Sequence, residues 1–405
     1  MAGNGGRPAR TADASTHHGR RTLDAADGGV PVIASAAVVV VWLVTALAVG
    51  ARVDARAARR GAVIGAAAAF SLSLAAIPVS SGTATAVVCS AFCLAGLLVA
   101  ALSPVASHPP RVLARALALV GLACAFTVVR VEVVDAALWA VTAAVAWSGA
   151  RDRRLFAVYH VPSVLLVLAG SVVPSPAGDV LVLLGVAVRA AAVPLHSWFP
   201  RFVARTPTGV VAAFLLPLGL VAPATPLAAA VGAGAALVGA VFAVVQTDGT
   251  RAVAFLLASA NGVALVGGAR PAAAVAATGL AMTAAALAAR RGPLSLTAPA
   301  GDLARTPRLA VAYLGFGLAL AGFPLLPGFA DVHHLLAHPA GFVVAALVVA
   351  VAVDGVTVLR GFLGLFAGRP EDTGERDLTP VEHGAVAVAL VLLALGGLAP
   401  GLTGW

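Results

Sequence analysis

Arg189-Ala-Ala-Ala-Val-Pro194-Leu-His196-Ser-Trp198-Phe-Pro200 closes a hydrophobic run over 180–199, and it combines features that an ordinary transmembrane helix avoids. A permanent cation sits about nine residues into the run, where a charge near the bilayer centre costs about 3 kcal/mol or more. Pro194 then withdraws a backbone donor and frees carbonyls at membrane depth. Such a break survives only where neighbouring protein or a cavity covers it. The stretch therefore predicts a broken helix inside a polytopic bundle, with Arg189 needing a carboxylate, carbonyl or water partner. A fixed counter-charge of this kind is one for which Lys could stand in.

The rest of the chain agrees with that setting. Of its 405 residues 60% are hydrophobic and 11% charged, with a mean hydropathy of +1.00, against about 25% charged in soluble domains. A single soluble core cannot hide so much apolar surface. Apolar runs long enough to cross a bilayer fall at roughly 31–51, 62–80, 84–104, 112–129, 133–149, 156–174, 180–199, 209–223, 226–246, 252–270, 271–290, 309–327, 339–366 and 382–399. The expectation is an all-α polytopic membrane protein of about fourteen transmembrane helices, broken near 190–200 and 322–328. Residues 1–30 are polar and read as a disordered tail before a membrane domain over 31–405.

All 26 basic residues are Arg, and with 17 acids the net charge is +9. Seventeen of these Arg fall in odd-numbered loops, Arg52, Arg153 and Arg251 among them, and only Arg130 and Arg270 in even ones. The positive-inside rule then places the odd loops in the cytoplasm and both termini outside the plasma membrane. The charge excess reads as orientation, and the few scattered aromatics make no nucleic-acid surface. No GxGxxG, P-loop or CxxC pattern occurs, so no cofactor is expected on this chain. Cys89, Cys93 and Cys124 lie in apolar runs and predict neither a disulfide framework nor a metal site.

The candidates for an ion path or a structural charge are Arg189, Asp354, Arg360 and Asp135, with His160 and His196 as titratable neighbours. Asp135 sits close enough to a helix end to reach the interface. Asp354 could pair with Arg360 or line a cavity.

With Pro194, Trp198 and Pro200, the 189–200 stretch resembles the K-x-x-x-x-P-L-H-x-W-L-P signature of the antiporter-like membrane subunits of complex I (proton-pumping NADH:quinone oxidoreductase) and of the related multisubunit cation/proton antiporters. Pro207 falls in that family's A-P-T turn. Gln246-Thr-Asp248-Gly-Thr-Arg251 is similar to its Q-T-D run, and Pro324 with Gly328 to its G-x-P-P-x-x-G-F turn. Arg360 stands where the family has a Tyr-x-x-Arg ending. These motifs keep the family's order over 185–365.

The resemblance implies inverted five-helix repeats, each with one broken helix, and a proton relay of Lys, Glu and His. It also implies partner membrane subunits, in a complex that could be a proton-translocating oxidoreductase, and a lipid surround. At the relay positions this chain departs from the family. The fifth-helix carboxylate falls near Thr142 to Ala144, and Leu215, Leu220 and Val332 replace titratable groups. No Lys exists, and Glu132, Glu371, Glu375 and Glu382 all lie away from mid-membrane. A guanidinium cannot deprotonate on a pumping cycle. The expectation is a subunit of a proton- or cation-translocating complex with a degenerate path. The alternatives are the membrane partner of an inorganic-carbon uptake pump, a stand-alone solute transporter, or a non-conducting scaffold.

Overall fold

The computed structural model describes residues 29–79, 83–128, 131–336, 340–369 and 376–398; most of the tail over 1–30 lies outside them. The described chain is predominantly helical, with one isolated bridge between Asp248 and Ser295. Its helices are α1 (Gly29–Gly50), α2 (Ala55–Ala76), α3 (Thr83–Leu102), α4 (Pro110–Ala125), α5 (Glu132–Gly149), α6 (Arg153–Gly170), α7 (Ala177–Ala190), α8 (Phe199–Arg205) and α9 (Thr208–Leu215). They continue as α10 (Leu218–Val221), α11 (Pro226–Val244), α12 (Gly249–Gly267), α13 (Pro271–Arg291), α14 (Pro307–Leu320), α15 (Pro327–Leu336), α16 (Gly341–Phe366) and α17 (Pro380–Leu398). Seven of the described helices are long and apolar enough to cross a membrane.

Helices occupy all the expected runs, and three runs are split. The seventh breaks after Ala190, where Ala191 takes a left-handed φ of 58°, and resumes at Phe199 with Pro200 in the first turn of α8. The twelfth breaks between α14 and α15, at Gly322 (φ 66°) and Leu325 (φ 71°). These two breaks stand five runs apart, the spacing that five-helix repeats require. A third break was not expected. The run 209–223 divides into α9 and α10 because Pro217 has no N–H to continue the ladder.

Small residues set the packing. A Cβ on Gly239 of α11 would lie 2.6 Å from the backbone nitrogen of Ser259 on α12, and one on Gly232 would lie 2.6 Å from the carbonyl of Gly262. Only glycine permits that approach, which is how helices associate where no hydrophobic force acts between them. It presses Ser259 toward the interior. On the outside, Val44, Leu47, Val158, Leu165 and Leu395 are more than half exposed. So much apolar surface on a soluble monomer would aggregate, and here it faces lipid.

Polar contacts fix the loops. Asp248 caps α12 by accepting the Arg251 N–H at 2.9 Å. The Gly249 N–H donates to the Leu294 carbonyl at 2.6 Å, and the Leu296 N–H to that of Thr247 at 2.8 Å. Buried His108, between α3 and α4, accepts the Gly209 N–H on Nε2 at 3.1 Å. Burial pushes its pKa down to about 4, so it serves as a neutral acceptor.

Candidate functional site

The last turn of α7 delivers Arg189 into the bundle with no exposed surface. Its Nη2 donates to the Trp139 carbonyl and to Thr142 Oγ1 on α5, each at 3.1 Å. The guanidinium lies over the Trp139 ring, 3.3 Å from its centroid, and 4.1 Å from that of Phe214 on α9. Two aromatic faces and two oxygens thus hold the charge. Among the described residues Arg189 makes no ion pair, and its Nε and Nη1 have no hydrogen-bond partner. Thr142 lies where the resemblance put a carboxylate, so a hydroxyl and a carbonyl do the work of a counter-ion.

The break itself is satisfied by two side chains and a backbone bond. Trp198, fully buried, donates its indole N–H to the Val188 carbonyl at 3.1 Å. The Ala192 N–H reaches the Ala187 carbonyl at 2.9 Å, and Asn261 of α12 donates to that of Ala190 at 3.5 Å. These bonds are what let irregular backbone persist at membrane depth. Pro194 lies in the exposed turn between α7 and α8, and Pro207 immediately precedes α9.

His160 on α6 belongs to the same cluster. Its ring stacks on Phe156 at 4.0 Å and meets Trp198 and Phe214 edge-on at 4.5 and 5.2 Å. Neither ring nitrogen has a hydrogen-bond partner. Ser163, one turn on, accepts the Trp139 indole N–H at 3.3 Å and donates to the Gly185 carbonyl at 2.7 Å. His196 lies apart, half-buried in the turn, with its ring 5.5 Å from that of Phe242. Asp135 stays half-buried in the first turn of α5, where the helix dipole favours an acid.

Asp354 and Arg360 do not pair with each other. Asp354, buried on α16, accepts the Ser259 hydroxyl on Oδ2 at 2.6 Å, and its Oδ1 has no partner. Arg360 instead donates to the carbonyls of Val244 and Gln246 at 2.5 and 2.7 Å, capping the C-terminal end of α11. Gln246 returns its side-chain amide to the Phe242 carbonyl at 2.8 Å. Pro324 is exposed between α14 and α15, and Gly328 is buried so close to α14 that a Cβ would lie 2.2 Å from the Ala319 carbonyl.

Two clusters escaped the sequence reading. Glu382, in the first turn of α17, bridges Arg59 of α2 at 2.7 Å and Arg290 of α13 at 2.8 Å. The thiols of Cys89, Cys93 and Cys124 converge, all within 4.8 Å of one another.

This arrangement, with a broken seventh run clamping a buried cation and a second break five runs later, is the one that the resemblance to the antiporter-like membrane subunits implies. Comparison with known proteins agrees. Over 247 residues the chain is 35% identical to NADH-quinone oxidoreductase subunit 14 of Thermus thermophilus, covering 55% of this chain and 56% of that relative. The match thus spans little more than half of the relative's length.

Among solved structures, a chain of respiratory complex I from Thermus thermophilus with bound NADH superposes with a TM-score of 0.76. Identity is 21%, over 92% of this chain and 96% of that one. A chain of the Mrp complex from a Dietzia species gives 0.75 at 16% identity, covering 92% and 95%. A chain of the archaeal membrane-bound sulfane sulfur reductase gives 0.72 at 17%, covering 90% and 76%. No protein-family model matches the chain.

Proposed function

We propose that the chain is a membrane subunit of a multisubunit, ion-translocating complex of the kind that contains NADH:quinone oxidoreductase, and that its own proton path is degenerate. The observation that carries the reading is the Arg189 clamp in the broken α7–α8 run, the position where the resemblance calls for a Lys, together with the sequence relationship to a complex I subunit. No catalytic centre or cofactor is assigned to this chain. The experiment is purification of the tagged chain from native membranes in mild detergent. Other membrane subunits in fixed stoichiometry are expected, and a chain that migrates alone would favour the stand-alone transporter and overturn the assignment.

The degenerate path rests on what separates the titratable groups. His160 is enclosed by aromatic rings and Asp354 is engaged with Ser259, while Leu215 and Leu220 are packed against the core. Arg189 cannot bridge the gap by titration. A water wire does not persist through apolar packing. The isolated chain in vesicles under an imposed pH gradient is therefore expected to show proton flux near the leak of empty vesicles. Robust flux abolished by Asp354→Asn or His196→Ala would mean that a His and Asp route has replaced the Lys one.

The orientation, with both termini outside, rests on the Arg asymmetry. Arg153 opens α6 and Ser175 follows its other end, both exposed. A cysteine at position 175 should react with an impermeant reagent added outside, and one at 153 should be protected. The reverse pattern inverts the topology.

A further inference from the structure

Among the described residues outside the broken helices, the cluster of ligand-type side chains that stands out is the three buried thiols of the N-terminal half. Cys89 and Cys93 lie one turn apart on α3, and Cys124 comes from the last turns of α4. All three are free and buried, at 2%, 0% and 0% exposure. Cys93 Sγ and Cys124 Sγ are 3.9 Å apart, and the three sulfurs all fall within 4.8 Å of one another. A metal ion at the centre of a sulfur triangle with bonds of about 2.3 Å would space those sulfurs about 4 Å apart. Cys93 and Cys124 already stand at that spacing, with Cys89 within 4.8 Å of both.

A second observation bears on the same sulfurs. The Trp42 indole N–H on α1 donates to Cys93 Sγ at 3.3 Å. A donor aimed at sulfur stabilises the thiolate over the thiol, the role that outer hydrogen bonds play at metal ligands. The contact is built into the packing. A Cβ at Gly96 of α3 would lie 2.4 Å from the far edge of the Trp42 ring, and one at Gly121 of α4 would lie 2.8 Å from the Trp42 Cβ. Two glycines on the cysteine-bearing helices thus make the slot that points the indole at Cys93.

We propose that Cys89, Cys93 and Cys124 form a three-coordinate site for a soft monovalent metal ion, Cu(I), with Trp42 as the positioning donor to Cys93. Thiolate sulfur selects soft ions, Cu(I) and Zn(II) among them. Zn(II) wants four ligands, and among the described residues the cluster brings three, the number a trigonal Cu(I) uses. Each sulfur that binds the ion gives up its proton, so three protons leave as one Cu(I) enters and retention should strengthen as pH rises. The bound site then carries a net negative charge, which the Trp42 indole N–H meets in part. The site is independent of the ion-path reading, since none of its residues takes part in either broken helix.

The test loads the purified, reduced full chain with Cu(I) stabilised by acetonitrile in the absence of oxygen, removes excess with bicinchoninate, and measures copper per chain and the sulfur shell by X-ray absorption. One Cu(I) per chain is expected, with three sulfur neighbours at about 2.3 Å. Cys93→Ser, close in volume, should lose nearly all the copper while keeping its elution volume and helical signal. Trp42→Phe should weaken retention about 10- to 100-fold against the competitor. Should Cys93→Ser fail to fold, Cys89→Ser and Cys124→Ser, each scored by sulfur count, serve the same purpose. Copper retention equal to that of the Cys89→Ala/Cys93→Ala/Cys124→Ala chain overturns the proposal.

Discussion

Glu382→Ala is expected to destabilise the chain by about 3 to 5 kcal/mol, the cost of stripping one partner from a buried ion network. Its carboxylate is almost wholly buried, at 5% exposure, between Arg59 and Arg290 at 2.7 and 2.8 Å. The Thr379 N–H completes the site with a bond to Oε2 at 2.7 Å. Arg59 also donates to the Ala101 carbonyl at the end of α3, and Arg290 to the carbonyls of Ala286 and Arg376, each at 3.0 Å. One carboxylate therefore joins α2 and α3 to α13 and α17. Without it two guanidiniums face each other with little water to screen them.

Glu382→Gln keeps the shape and, with its one oxygen at the Oε2 position, the bonds from Thr379 and Arg290, but it sets its NH2 against the Arg59 guanidinium, for a smaller loss of about 1.5 to 3 kcal/mol. Thermal unfolding in detergent, read by helical signal and by retention on size exclusion, orders the variants. An alanine variant as stable as the native chain would show that the network is decoration on an already rigid bundle.

That network explains why part of the structure was illegible in the sequence. Hydrophobic runs announce themselves locally, so the helices fell where the apolar stretches did. The breaks at Ala191 and Gly322 were marked by Pro and Gly inside long runs. The division of α9 from α10 was masked, because Pro217 lies inside an apolar run that reads as a single crossing. Glu382 looked like an ordinary acid at the head of a last helix, since its two Arg lie 323 and 92 residues away.

The thiol cluster was hidden for the same reason. Cys89 and Cys93 share a helix face by spacing, but only the packing of α4 on α3 supplies Cys124. The Asp354 pairing failed on distance of another kind. Arg360 is one and a half turns along the same helix, on a different face, and the free carbonyls at the end of α11 claim it. For Arg189 the position of the partner was legible through the resemblance, near Thr142. The chemistry was not, because a ring such as Trp139 or Phe214 carries no charge to flag it as the companion of a cation.

That chemistry makes a sharp prediction at Arg189 itself. With no counter-ion among the described residues, the charge is stabilised by two ring faces and two oxygens while Nε and Nη1 go unmet. Arg189→Ala removes a large buried side chain from between Trp139 and Phe214 and should cost about 3 to 5 kcal/mol through the cavity it leaves. Arg189→Met fills most of that volume, places a polarisable sulfur against the same rings, and removes the two unmet donors. Thr142 keeps its own bond to the Trp139 carbonyl at 2.9 Å, so no acceptor is stranded. Replacing an uncompensated buried charge by an apolar side chain of similar size is neutral or stabilising, by up to about 4 kcal/mol, and the Met chain should melt at or above the native temperature. Arg189→Lys is not the mild exchange that a simple counter-charge would allow. An ammonium lacks the flat face that lies against the Trp139 ring, and the Lys chain should fall between Ala and native. If the Met chain is destabilised as much as the Ala chain, the guanidinium is holding the break together through its charge, and the charge belongs to the working site rather than to a vestige of one.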